Sequence, residues 1–90
     1  MVRAHVFIAG LVQGVGFRAY TQMQAQKQKL TGWVRNVHDG RVETEVEGPR
    51  PSIELFVADL QKGPRHARVD QVEIEWKEVD GHDSGFQIRY

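Results

Sequence analysis

A chain of 90 residues supports one hydrophobic core and a single domain, residues 1–90, with no room for separate nucleotide and substrate domains. Twelve basic and twelve acidic residues cancel to zero formal net charge, which removes the broad basic field that drives nucleic-acid binding. The absence of cysteine excludes disulfides and thiolate chemistry, no stretch nears the roughly 20 apolar residues of a membrane span, and the polar opening Met-Val-Arg-Ala-His is unlike a signal peptide, so a cytoplasmic protein is expected.

Val2, Ala4, Val6 and Ile8 alternate with Arg3, His5 and Phe7, the period of a strand, and this strand runs into a loop from Gly10 to Gly16. Residues 17–30 follow, rich in the helix formers Ala, Gln, Met, Lys and Leu. At about 100° per residue, Phe17, Thr21, Gln24, Ala25 and Gln28 share one face and Ala19, Met23 and Leu30 another. Neither stripe is strongly apolar, so the helix is assigned from propensity and position.

Residues 32–37 and 41–47 flank Asp39-Gly40, the signal for a hairpin. Val42, Thr44 and Val46 are assigned to its dry face, Glu43, Glu45 and Glu47 to its wet face. A two-residue turn sets Asn36 opposite Glu43, whereas a three-residue turn with a bulge shifts the register by one. Pro49, Pro51 and Ser52 then open a second helix, whose Ile53, Phe56, Val57 and Leu60 form the clearest apolar stripe of the chain, and Gly63-Pro64 stops it. Val69, Val72, Ile74 and Trp76 predict a fourth strand with Glu73, Glu75 and Lys77 outward. A polar turn from Gly81 to Gly85 leads into a short last strand carrying Phe86, Ile88 and Tyr90.

The order β-α-β-β-α-β plus a terminal strand predicts an α+β fold, the ferredoxin-like split βαβ sandwich, with two helices on one face of a mainly antiparallel sheet. In this arrangement the strand after the first helix lies at the sheet edge. It runs parallel to the first strand with one strand between them, so its end approaches the first loop.

That loop, Gly10-Leu-Val-Gln-Gly-Val-Gly-Phe-Arg18, is built for an anion. Gly14 and Gly16 accept backbone angles that side chains forbid, and the helix start beyond them leaves N–H groups unpaired at its positive end. Arg18 adds a fork of donors matched to phosphate oxygens. The loop lacks the third glycine of a dinucleotide fingerprint and the Gly-Lys-Ser/Thr of a P-loop. In the segment 32–36, Asn36 carries an amide able both to donate to and to accept from a water.

Taken together, Gly10–Arg18 and Gly32–Asn36 resemble the two signature segments of the acylphosphatase family. The resemblance extends to residues 39–43, to Lys62-Gly63-Pro64 with Ala67-Arg68-Val69-Asp70, and to the closing residues 86–90, in the same order along the chain. It implies hydrolysis of acyl phosphates to a carboxylate and inorganic phosphate, with phosphate as product and competitor and with no metal and no cofactor; separately, a monomer is expected. It further implies that the amides of Gly14, Val15, Gly16, Phe17 and Arg18 and the Arg18 guanidinium bind the phosphoryl group, while Asn36 orients the attacking water. Where the family ends its first helix with Leu-Gly, this chain has Gln28-Lys29, and Lys29 is costly at a left-handed cap.

The competing constellations are weaker. His5, His38, His66 and His82 do not share a metal-binding spacing and are expected at the surface. His82-Asp83-Ser84 are neighbours in a polar turn and cannot form a relay. An RNA-binding sheet lacks its aromatic motif and would present Glu43, Glu45 and Glu47 to a phosphate backbone. A non-catalytic phosphate- or carbamoyl-phosphate-binding module is the alternative from the binding class.

Overall fold

A computed structural model describes all residues from Met1 to Tyr90. The elements run β1 (Val2–Leu11), α1 (Phe17–Lys27), β2 (Thr31–Asn36), β3 (Val42–Gly48), α2 (Arg50–Lys62), β4 (Arg68–Lys77) and β5 (Phe86–Arg89). The five strands form one sheet in the order β4-β1-β3-β2-β5, antiparallel except where β5 joins β2 in parallel. This is the expected split βαβ sandwich, and β1 and β2 are parallel with β3 between them. One expectation changes: β5 covers the outer side of β2, so β2 is an internal strand and the edges are β4 and β5.

Alternation on the strands sends Ala4, Val6, Ile8, Val34, Val42 and Val46 toward the helices, where they meet Phe17, Ile53, Phe56 and Leu60 in one buried cluster. The weak stripe of α1 is nevertheless its buried face, through Phe17, Thr21 and Ala25, and Met23 is exposed. Thr21 is tolerated there because its hydroxyl donates to the carbonyl of Phe17 at 2.8 Å. The Tyr20 hydroxyl donates to the Asp59 carbonyl at 2.7 Å and pins α1 to α2.

Helix α1 stops at Lys27, three residues earlier than propensity indicates. Lys29 takes a left-handed φ of 58°. The amide of Leu30 donates to the Ala25 carbonyl at 2.9 Å and that of Lys29 to Gln26 at 3.0 Å, the paired bonds of a Schellman cap, with Leu30 buried beyond it. Tertiary burial of Leu30 overrides the helix propensity of residues 28–30. The β2–β3 turn is the three-residue form: Asn36 pairs with Val42, the Val37 amide donates to the Arg41 carbonyl at 2.8 Å, and Gly40 supplies a φ of 97°.

The face of the sheet away from the helices departs most from expectation. Glu43, Glu45 and Glu47 are buried at 5, 7 and 8% exposure rather than wet. Arg3 is the reason. Its guanidinium meets Glu45 at 2.5 Å, Glu47 and Asp80 at 3.2 Å and Asp83 at 2.8 Å, drawing the irregular segment 78–85 across the strands. Glu47 also accepts the amides of Asp80 and Gly81 at 2.9 and 3.3 Å. His5 is half-buried rather than a free surface histidine, with Nε2 at 2.6 Å from Glu43.

Burial opposes ionisation of Glu45, but Arg3's hydrogen bond and charge, with Lys77, outweigh it and hold the carboxyl below its ordinary 4.5. Burial also opposes ionisation of Glu47, and the amides of Asp80 and Gly81 together with Arg3 bring it below 4.5 as well. The stability these groups contribute is therefore complete above about pH 4.5 and is lost as pH falls through their lower folded values. In urea unfolding, the midpoint should fall on acidification below that pH. Arg3→Met should cost about 3 kcal/mol at neutral pH, because it strands buried carboxylates, and should flatten the acid dependence. Lys29→Gly should raise stability by about 1 kcal/mol by relieving the left-handed lysine, read as a melting temperature higher by roughly 4–8 °C.

Candidate active site

The site is assembled where β1 ends and β2 ends, on the helix side of the sheet. β1 leaves the sheet at Leu11, and a left-handed Gly14 (φ 76°) and Gly16 (φ 78°, ψ 20°) reverse the chain into α1. A Cβ at either glycine would meet nothing within 4 Å, so it is the backbone angle and not crowding that calls for glycine. Gly16 caps α1 without a side chain, and no acidic residue occupies the first turn.

None of the N–H groups from Gly14 to Ala19 donates to another group of the chain; the first amide of this region with a partner is that of Tyr20, which bonds the Gly16 carbonyl at 3.0 Å. Six consecutive amides are thus left for solvent or a ligand at the positive end of a helix dipole. The phenyl ring of Phe17 points the other way, into the core against Tyr20, with ring centroids 5.9 Å apart. It anchors the helix start and leaves only its amide for the loop.

Arg18 is half-buried and makes no ion pair; its guanidinium lies 4.7 Å from the ring centroid of Tyr90. Asn36, the last residue of β2, shares the helix-side face with Val34 and Val42. Arg18 and Asn36 line one cleft of about 170 Å³ together with Val12, Gly14, Gly16 and Tyr90. That is several times the roughly 30 Å³ share of one water, and unpaired amides beside a guanidinium are donors of the kind that suit an anion.

The two segments meet through Gln13, whose role the sequence did not suggest. Its side-chain amide donates to the carbonyls of Val37 at 2.7 Å and Arg41 at 2.9 Å, clamping the glycine loop to both strands of the hairpin beside Asn36. The part played by Tyr90 was not expected either: read as the end of the last strand, it lies beyond β5, exposed, and borders the cleft. No histidine lines this cleft: His5 lies on the sheet face away from the helices, His66 and His82 are exposed, and exposed His38 borders the neighbouring hollow.

The protein-family model that matches this chain is that of acylphosphatase, over residues 4–88. The acylphosphatase of Chloroflexus aurantiacus is 49% identical over 88 residues, covering 98% of this chain and 96% of that protein. The crystal structure of an acylphosphatase from Bacillus subtilis superposes with a TM-score of 0.97 at 38% identity, over 100% of both chains. A segment of full-length HypF in its phosphate- and nucleotide-bound form is also similar, with a TM-score of 0.84 and 31% identity; this chain spans 12% of that protein. Matched from end to end in sequence and in fold, the chain belongs to the acylphosphatase family.

Proposed function

We propose that this chain hydrolyses acyl phosphates, with the amides of Gly14, Val15, Gly16, Phe17 and Arg18 and the Arg18 guanidinium holding the phosphoryl group and Asn36 orienting the attacking water. One observation carries this assignment of roles: Gly14, Gly16, Phe17 and Arg18, whose amides are unpaired, and Asn36 from the second segment border a single small cleft, while Val15 is not among the residues lining it. The activity itself follows from family membership and from the end-to-end match to acylphosphatases.

In the reaction, the water oxygen forms a bond to phosphorus as the bond from phosphorus to the acyl oxygen breaks. The carboxylate leaves with that electron pair, and the water's proton passes to a phosphoryl oxygen, giving a carboxylate and dihydrogen phosphate. An acyl phosphate carries a good leaving group, so the demand on the protein is positioning and stabilisation of charge on the equatorial oxygens. Preorganised amides and a guanidinium meet that demand without reorganising as the charge moves. Asn36 holds water by donating and accepting, and its carboxamide need not remove a proton. Gln13 is a positioning residue, acting through the hairpin carbonyls it binds.

The substrate is a small molecule, and we assign it to a cytoplasmic monomer; the chain lacks cysteine, as suits a reducing compartment. No helix is long and apolar enough to cross a membrane. A phosphate-binding module without turnover is the competing reading, and the near-complete coverage of acylphosphatases favours the enzyme.

With a chromophoric acyl phosphate in the presence of chelator, turnover should persist and inorganic phosphate should inhibit competitively. Phosphate binding with no turnover would establish the module instead. Arg18→Lys should lower kcat/KM about 10²- to 10³-fold, the loss typical of a single preorganised donor; activity within a few-fold of wild type would remove Arg18 from the site. Asn36→Ala should abolish most turnover while the inhibition constant for phosphate stays within a few-fold. Equal loss of both would reassign Asn36 to binding or folding.

A further inference from the structure

The clamp made by Gln13 uses only half of its carboxamide. The amide nitrogen donates to the carbonyls of Val37 at 2.7 Å and Arg41 at 2.9 Å, which fills its capacity of two hydrogens. Two acceptors on that arm fix which arm is nitrogen, because the flipped form would set oxygen against two carbonyl oxygens. The other arm, Oε1, accepts from no donor of the chain. No buried side-chain oxygen or nitrogen of the protein lacks a partner, so this unpaired oxygen is open to solvent. The same holds for the carboxamide of Asn36, half-buried and hydrogen-bonded to no other group of the chain.

These two idle groups border one hollow of about 440 Å³. Asn36 also lines the phosphate cleft, whereas Gln13 does not, so Gln13 stands at the approach to Asn36 and outside the phosphoryl pocket. A water attacking phosphorus must aim a lone pair along the line of the breaking bond while one of its hydrogens turns to the phosphoryl oxygen that receives it. Asn36 alone grips such a water from one side and leaves it free to swing about that anchor. An acceptor from a second segment, taking the remaining hydrogen, fixes its direction. The Gln13 carboxamide is already locked in place by two hydrogen bonds, so it meets this need without reorganising.

We propose that Gln13 is a further catalytic residue, its Oε1 accepting a hydrogen bond from the attacking water that Asn36 holds, so that the water's lone pair faces phosphorus. This rests on the hydrolase reading above and adds a contact to the reacting water. The hydrogen held by Gln13 stays on its oxygen and ends as a hydroxyl of the phosphate product; no proton passes to the carboxamide.

Gln13→Lys separates the oxygen from the clamp, since an ammonium donates to both carbonyls and accepts nothing, whereas Gln13→Met removes both functions. With acetyl phosphate as substrate, Gln13→Lys should lower kcat about 10- to 10²-fold, while inorganic phosphate inhibits at least as strongly as in wild type and the melting temperature stays above that of Gln13→Met. A wild-type kcat in Gln13→Lys assigns Gln13 to the clamp alone and overturns the proposal. Vanadate, whose bipyramidal adduct sets an apical oxygen where the water attacks, gives an answer that needs no variant to fold. In a crystal structure of the wild-type vanadate complex, an apical oxygen should lie within about 3.2 Å of both Gln13 Oε1 and the Asn36 carboxamide. Contact with Asn36 and none with Gln13 overturns the proposal. Either negative result leaves the hydrolase reading standing, which falls if wild type fails to hydrolyse acetyl phosphate at all.

Discussion

A row of six backbone N–H groups with no acceptor in the chain, Gly14 to Ala19, is the constraint to which the rest of the fold answers. Such groups are tolerable only where water or an anion reaches them, so the turn from β1 into α1 must stay open at the surface while the residues on either side are held fast. Val12 and Phe17, both essentially inaccessible, supply the anchorage. Gly14 and Gly16 supply the reversal, and the absence of any side-chain cap at Gly16 keeps the amides free. A capping serine or aspartate at that position would satisfy one of these donors and occupy the place of the ligand.

Strand order does the remaining work of assembly. Because β3 separates β1 from β2 and pairs antiparallel with both, the C-terminal ends of β1 and β2 point the same way, and Asn36 comes to the glycine loop across a distance the chain does not otherwise bridge. Gln13 then ties the loop to the hairpin backbone, so the relative position of Arg18 and Asn36 depends on hydrogen bonds to main-chain carbonyls and not on the identity of residues 37 and 41. Gly32 is required for a related reason: a Cβ there would strike the Glu45 carbonyl, so the β2–β3 approach near the start of the site strand demands glycine.

Most of this was legible in advance because the relevant signals are local. The Gly-x-Gly turn, the stripe of α2 through Ile53, Phe56, Val57 and Leu60, and the alternation of β1 each report on their own segment, and each holds in the structure. What could not be read depends on groups distant in the chain. Alternation correctly sends Glu43, Glu45 and Glu47 to the face opposite Val42, yet it says nothing about what lies there, and Arg3, 42 residues from Glu45, together with His5 and Arg35 turns a solvent face into a buried one. The hairpin register was ambiguous by one residue and was settled by the left-handed Gly40 closing a three-residue turn. Tyr90 reaches the cleft only because β5 adds in parallel beside β2, a pairing no short-range pattern announces.

The Arg3 cluster also bears on how the domain behaves when warm. The irregular segment leading into β5 is fastened in large part by ions: one guanidinium shared among Glu45, Glu47, Asp80 and Asp83. Hydration of charge becomes less favourable as temperature rises, so the desolvation cost of such a clasp declines while apolar burial gains little more per unit area. The segment that leads into the last strand is thus secured by the class of contact that weakens least on heating, a fastening suited to heat rather than to cold.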